Sequence, residues 1–406
     1  MKEKLFTRNF TLLLLGQVFS LLGNGALRFA LSMYVLEKTG SAAVFGTLLA
    51  VSMVPTILLT PFGGVLADRM DRRVIMVGLD LASGAAVLAA AAAFADGRGL
   101  AVTAALLIVL SVLGAFESPT VQACVPQMLH GENVLRGNAA VNQVAAVSGL
   151  VTPFLGSLLY TAFGVRPVLA GAGACFLLTA GLERFIRLPE SPRGRGQRLR
   201  DILREDLLGS ARFLAQERRE VLDLLLFAAA VGALVSGAAI VGLPYLIRTG
   251  LGLSARLYGA AESAMGLAAL LGGLAAGALA ARLPFRRLNR LVTVVGGCCL
   301  LGGGALLLPV GAMGQYGALV LLFCVGQAMA CTFSIFAVSA IQQRTPEHMT
   351  GKVMACVSTI SMCAQPLGQM LYGLWFDASP GWVVLSASGA AIFALGICSR
   401  KLFEKW

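Results

Sequence analysis

The sequence predicts an all-α polytopic membrane protein: twelve transmembrane helices in two six-helix halves related by a pseudo-twofold axis. Three observations carry this. First, 57% of the 406 residues are hydrophobic and 13% charged, whereas a soluble domain carries roughly 25% charged residues. A chain this poor in charge cannot clothe a soluble exterior. Second, runs such as Leu12–Leu15, Ala89–Ala93 and Ala305–Leu308 are continuously apolar. An outer-membrane barrel alternates apolar and polar residues instead, so the spans are helices. Third, the chain repeats itself. Ser41–Gly46 (SAAVFG) aligns with Ser254–Gly259 (SARLYG), and Gly64–Arg69 (GVLADR) aligns with Gly277–Arg282 (GALAAR) at the identical offset. Gly156–Tyr160 (GSLLY) aligns with Gly368–Tyr372 (GQMLY) at an offset shorter by a single position. Three matches in one order at one spacing indicate duplicated halves.

Hydrophilic breaks delimit twelve apolar stretches, near 10–36, 42–66, 74–95, 100–122, 138–163 and 167–186, then 222–247, 257–281, 291–310, 315–342, 353–376 and 381–399. Each is long enough to cross the roughly 30 Å hydrocarbon core. The first follows Lys2, Lys4 and Arg8 like a signal peptide, but it has no A-x-A cleavage site and is expected to stay as a helix. Breaks on the amino-terminal side of the membrane hold 26 of the 32 Lys and Arg residues. The other side holds five, namely Lys38, Arg98, Arg166, Arg248 and Arg256, and Arg28 alone falls inside a span. The positive-inside rule then places both termini in the cytoplasm, for an integral protein of the cell (inner) membrane. The longest polar break, near 183–220, splits the chain into an N-terminal half (1–186), a linker (187–220) and a C-terminal half (221–406). Leu199, Ile202, Leu203, Leu207, Ala211 and Leu214 recur there at helical spacing. An amphipathic helix on the membrane surface is expected, the alternative being a solvated charged linker.

The net charge of +12 needs no nucleic-acid partner, because its arginines sit in the breaks that orient the spans. Nine cysteines lie in or beside apolar runs without a C-x-x-C or a Cys/His cluster, so they read as reduced packing residues and no metal is expected. His130 and His348 lie in breaks, and neither H-E-x-x-H nor an ATP-binding GxxxxGK[ST] occurs. The chain is expected to be neither an enzyme nor an ATP-driven pump, and to need no cofactor.

The sharpest motif is Gly63-Gly64-Val65-Leu66-Ala67-Asp68-Arg69-Met70-Asp71-Arg72-Arg73, between the second and third spans. It resembles the G-x-L-a-D-r-x-G-R-R signature of the major facilitator superfamily, with Asp71 where the signature commonly has Gly. The six-plus-six repeat resembles that superfamily along the whole chain. The resemblance implies the major facilitator fold and alternating access by rocking of the two halves. It also implies a gating latch made by Gly64, Asp68, Arg69, Arg72 and Arg73, in which the acid looks toward the start of the eleventh helix at Thr350-Gly351-Lys352. Gly16–Asn24 (GQVFSLLGN) and Gln343–Val353 (QRTPEHMTGKV) further resemble the macrolide-efflux and siderophore-export branch, where many members have an acid at the position of Asn24. Ser148–Ser157 (SGLVTPFLGS) resembles the antiporter signature. It keeps Pro153 and Gly156 as a kink at the interface between halves, and has Thr152 and Ser157 in place of Gly.

Ionisable residues within spans mark function by default. Arg28 and Glu262 lie deepest, and the repeat places Val241 and Leu49 at their counterparts, so the scaffold requires neither. Asp80 and Glu117 lie nearer the cytoplasmic ends, where hydration or capping is expected. The candidate substrate and coupling residues are Arg28, Glu262, Asn24, Gln17, Glu117, Gln143, Gln327 and Gln365, with Ser236 and Thr332 beside them. Arg28 and Glu262 are expected to pair and to exchange that pairing for a proton. The function expected is secondary active export of amphiphilic organic compounds or drugs, coupled to protons or cations, by a monomer in the lipid bilayer. The alternatives are uptake of a small organic anion held by Arg28, and lipid flipping. The topology is checked by reporter fusions after Arg166 and Arg256: activity of an exported reporter is expected at both, and cytoplasmic activity there contradicts the assigned orientation.

Overall fold

The computed structural model describes residues 5–94, 98–188, 214, 216, 218–279 and 284–404. Twelve long helices are present among them: α1 Arg8–Thr39, α2 Ala42–Arg69, α3 Arg72–Ala93, α4 Gly99–Met128, α5 Glu132–Phe163 and α6 Val165–Glu183. After the linker come α7 Arg219–Gly250, α8 Ala255–Leu279, α9 Leu288–Ala305, α10 Gly311–Arg344, α11 Glu347–Ala378 and α12 Gly381–Cys398. Two short pieces flank α9 and α12, a 3-10 turn at Phe285–Arg287 and a helix at Arg400–Glu404. No strand occurs among the described residues. Eleven of the twelve helices are long and apolar enough to cross a membrane. The exception, α11, carries Thr350, Lys352, Ser358, Thr359, Ser361, Gln365 and Gln369 along its length. The amphipathic helix expected in the linker lies outside the described residues, except that Leu214 is buried in an apolar cluster with Val221, Leu224 and Phe403.

The chain divides into two compact units. The first comprises Met1–Val35 with Val51–Leu199, and the second Leu36–Ala50 with Arg200–Trp406. In lipid there is little hydrophobic drive between helices, so close approach at small residues holds them together. In the first unit Gly156 of α5 sits on Ala26 and Phe29 of α1, and Gly63 of α2 on the backbone of Ala115 in α4. Gly84 of α3 faces Gly173 and Leu177 of α6. The second unit repeats the pattern. Gly368 of α11 lies on the backbone of Ala233 in α7, Gly272 of α8 on Ala328 of α10, and Gly296 and Gly389 join α9 to α12. The sequence repeat therefore recurs as a packing repeat: Gly156 and Gly368, aligned in sequence, each seat the fifth helix of a half on its first.

Thr152, which replaces a Gly of the antiporter signature, is accommodated because Gly25 faces it on α1. Pro153 lies inside α5, which continues to Phe163. All nine cysteines are free.

A side chain at position 368 would run into the carbonyl of Ala233, whereas Gly304 has nothing within 4 Å of an added Cβ. Gly368→Val is expected to destabilise the protein by about 1–3 kcal/mol and Gly304→Ala to leave it unchanged, as read by thermal denaturation in detergent. Equal melting of the two variants contradicts the packing account.

Candidate functional site

The second unit contains a cavity of about 570 Å³ walled by α7, α8, α10 and α11. This volume falls in the range that takes an organic ligand. Val235, Ile240, Leu243, Met265, Phe333 and Val357 supply much of its apolar wall. The polar groups are few: Ser236, Tyr258, Glu262, Gln327, Ser334, Ser361 and Gln365. Three of the expected site residues, Glu262, Gln327 and Gln365, thus share one cavity. The spacing responsible is helical, because Tyr258 and Glu262 lie one turn apart on α8 and face the same way. Their side chains are hydrogen-bonded to each other. Helix α7 widens into π turns at Ala238–Gly242 and Leu246–Gly250, and the first presents Ala239 and Ile240 to the cavity. Such turns often sit at functional sites. Sequence periodicity gives no sign of them.

Thr332 does not join this lining. It is buried, and its hydroxyl donates 2.9 Å hydrogen bonds to the carbonyls of Gly272 and Ala328, so it fastens α8 to α10. In the first unit Arg28 is exposed and donates from Nε to Asn24 Oδ1 at 3.1 Å, one turn away on α1. Asn24 here holds the guanidinium in place. Gln17 is buried and Gln143 exposed. Each deep charge therefore has a neighbour on its own helix, Asn24 for Arg28 and Tyr258 for Glu262, and neither needs the other to be satisfied.

Asp80 departs from the hydrated or capping position expected of it, while Glu117 is half-buried. Asp80 is 2% exposed and Glu183, the last residue of α6, 1%. Their carboxyls lie side by side. Glu117 lies within electrostatic reach of both and accepts from Ser20 Oγ at 3.3 Å. Asp80 Oδ1 and Glu183 Oε2 have no hydrogen-bond partner. Packing explains the burial: Thr179 and Glu183 of α6 press on Gly16 of α1, and Thr179 donates to the Gly16 carbonyl. Glu183 stands at the edge of the polar break, at the end of the sixth apolar stretch, and was not among the candidate site residues. Its place, one turn past Thr179 on a face against α1, emerges only when α6 is seen to run to its end. No group of three or more His, Cys, Asp or Glu among the described residues is arranged to hold a metal ion.

The signature residues lie at the end of α2 and the start of α3. Asp68 and Arg69 occupy the last turn of α2. Asp71, at the position where Gly is common, is the N-cap of α3 and accepts from the Arg73 amide at 2.9 Å. Arg72 donates to the carbonyls of Ala67 at 2.9 Å and Ala123 at 2.8 Å. It satisfies backbone groups left open near the ends of α2 and α4.

A second arrangement of an acid and a helix start was not visible in the sequence. Asp377, in the last turn of α11, accepts from the amides of Ala42 at 2.7 Å and Ala43 at 3.2 Å and from the Ser41 hydroxyl, at the start of α2. Nearby in sequence, Glu37 at the end of α1 forms an ion pair with Arg248 at the end of α7. In both contacts the partners come from opposite halves of the chain and follow no spacing rule.

Twelve long helices, eleven of them apolar enough to cross a membrane, with a repeated set of close contacts in each unit and a mostly apolar cavity in the second, fit a membrane transport protein. The family model described as Major Facilitator Superfamily matches residues 13–369, and the chain belongs to that superfamily. It is 26% identical over 402 residues to the enterobactin exporter EntS of Salmonella typhimurium, a match covering 96% of this chain and 90% of that one. It is 28% identical over 177 residues to macrolide efflux protein A of Streptococcus pyogenes, covering 43% of this chain and 44% of that protein, so that likeness spans less than half of either. Among solved structures, a bacterial homologue of the iron transporter ferroportin in an inward-facing state aligns at TM-score 0.73 and 16% identity, covering 98% of both chains. The nucleoside transporter NupG aligns at 0.74 and 12%, covering 98% of this chain and 100% of that one. At such identities these two speak for the fold alone. The protein is an integral membrane transporter with efflux proteins among its relatives.

Asp377→Ala leaves two amides and a hydroxyl without their acceptor and is expected to destabilise the protein by about 1–2 kcal/mol, as loss of a helix cap does. Asp377→Asn is expected to retain part of that. Thermal denaturation of the purified variants checks this, and an unchanged midpoint for Asp377→Ala contradicts the capping role.

Proposed function

We propose that the protein is a proton-coupled exporter, an antiporter of amphiphilic organic compounds, working by alternating access in the cell membrane with both termini cytoplasmic. The observation that carries the reading is the cavity of about 570 Å³. Its wall is largely aliphatic and aromatic, and its few polar groups are uncharged except for one acid. An amphiphile gains by burying its apolar body there and can be oriented by Gln327, Gln365 and Ser236. A sugar or a small anion would leave most of the wall without a polar partner. Relatives named as exporters of a siderophore and of macrolides favour the outward direction.

Glu262 supports the coupling. It stands in the cavity wall beside Tyr258, where an arriving organic molecule and a proton meet the same carboxyl. Proton uptake removes the charge that an apolar ligand would otherwise have to bury, and release restores it on the other side. The carboxyl cluster of Asp80, Glu117 and Glu183 supports a second reading, in which the first unit carries the proton. That cluster sets three acids within electrostatic reach of one another.

In proteoliposomes with an imposed pH gradient and a fluorescent amphiphilic dye as substrate, Glu262→Gln is expected to abolish gradient-driven export while dye binding persists. Ala239→Trp, which fills the cavity, is expected to lose dye binding. Gradient-driven export by Glu262→Gln at the wild-type rate removes Glu262 as the coupling acid. Loss of that export in Asp80→Asn or Glu183→Gln would then assign coupling to the cluster.

A further inference from the structure

Four arginines converge on one concavity of the second unit. Arg286, Arg287, Asn289 and Arg290, at the start of α9, and Arg400, after α12, line a space of about 540 Å³. The positive-inside rule asks only that arginines lie on this side of the membrane, not that they face one another. The repeat keeps Arg73 at the position of Arg286 but not the rest of the α9 cluster. In the register that aligns Gly64 with Gly277, the first half has Val74, Met76 and Val77 at the positions of Arg287, Asn289 and Arg290, and Met76 there is buried in the core.

The arrangement is built by packing. Thr293 faces Gly396, Gly296 faces Phe393, Leu300 faces Gly389 and Gly303 faces Ser386. This antiparallel register brings Arg290 level with Ser399 and Arg400. Phe403, fully buried, stacks against Phe285 with ring centroids 5.7 Å apart, so the turn bearing Arg286 and Arg287 is held against the helix that begins at Arg400. Below the arginines the surface turns apolar. Val294 lies one turn beyond Arg290 and is 43% exposed, while Ile397 lies one turn before Arg400 and is 54% exposed. Phe393, another turn along α12, is exposed beside them.

We propose that this concavity binds the phosphate headgroup of an anionic phospholipid, whose acyl chains run along Val294, Phe393 and Ile397. Guanidinium groups match phosphate oxygens with paired N–H donors. A basic pocket at the inner end of membrane helices suits a lipid headgroup. The apolar strip along the same helix faces selects a lipid over free phosphate. Bound there, the lipid ties the start of α9 to the end of α12, the most closely interlocked helix pair of its unit.

The test uses the purified full-length protein in a neutral detergent, titrated with phosphatidylglycerol, phosphatidylcholine or inorganic phosphate and read by native mass spectrometry and thermal shift. Phosphatidylglycerol is expected to bind and raise the melting temperature, phosphatidylcholine and inorganic phosphate to do neither. The double variant Arg286→Gln with Arg290→Gln is expected to lose phosphatidylglycerol affinity by at least about tenfold, as loss of charge-assisted bonds implies. Arg136→Gln, a control in the first unit, is expected to keep it. Lysine at both positions retains charge without the fork and is expected to bind between wild type and the glutamine variant. Equal binding of phosphatidylcholine, an equal shift with inorganic phosphate, or undiminished phosphatidylglycerol affinity in a double variant that melts normally without lipid overturns the proposal.

Discussion

The hydrocarbon core offers no hydrogen bonds, and the rest of this structure follows from that constraint. Every backbone amide and carbonyl in a span must find its partner within the span, so the chain crosses as long, continuous helices. Lipid also removes most of the hydrophobic drive that would press helices together. Contact must instead come from backbone approaching backbone, which explains why glycines lie at the tightest crossings in both units and why the same pairings recur in each. Where backbone groups are left open at helix ends, side chains close them: Asp71 at the start of α3, Arg72 near the ends of α2 and α4, Asp377 at the start of α2.

The same scarcity of hydrogen bonds governs the polar side chains. Arg28 leans on Asn24, Glu262 on Tyr258, Asp80 on Glu183 and Ser20 on Glu117. Each acquires a partner inside its own unit. A transporter needs polar groups that can change partners as its substrate and coupling ion come and go. Glu262 lines a cavity, whereas the Thr332 hydroxyl is spent on two carbonyls. The difference between a functional and a structural polar residue here is access, and access is set by which face of the helix meets a neighbour.

Much of the fold was legible in the sequence because its signals are periodic or repeated. The spans announce themselves by length, the duplication by Gly156 and Gly368 at a fixed offset, and the family by the residues around Asp68. Glu262, Gln327 and Gln365 were legible as candidates because a polar residue within a span needs a reason. What escaped was long-range or geometric. Glu183 lies at the edge of the longest polar break, and only the packing of α6 shows it against Gly16. Asp377 reaches the start of α2 from near the other end of the chain, and no local pattern encodes that contact. Asp80 was read as hydrated from its distance to the helix end, while neighbouring helices decide its exposure. The π turns of α7 leave no periodic trace.

The central claim is that an organic substrate and a proton move in opposite directions through one chain. It is tested most directly by adding substrate to proteoliposomes that hold a pH-sensitive dye and have no imposed gradient. Downhill substrate movement is expected to drive protons the opposite way, visible as a change of internal pH that is absent without substrate and abolished by a protonophore. Substrate flux with no proton movement, and with no response to a pH gradient of either sign, would contradict the account.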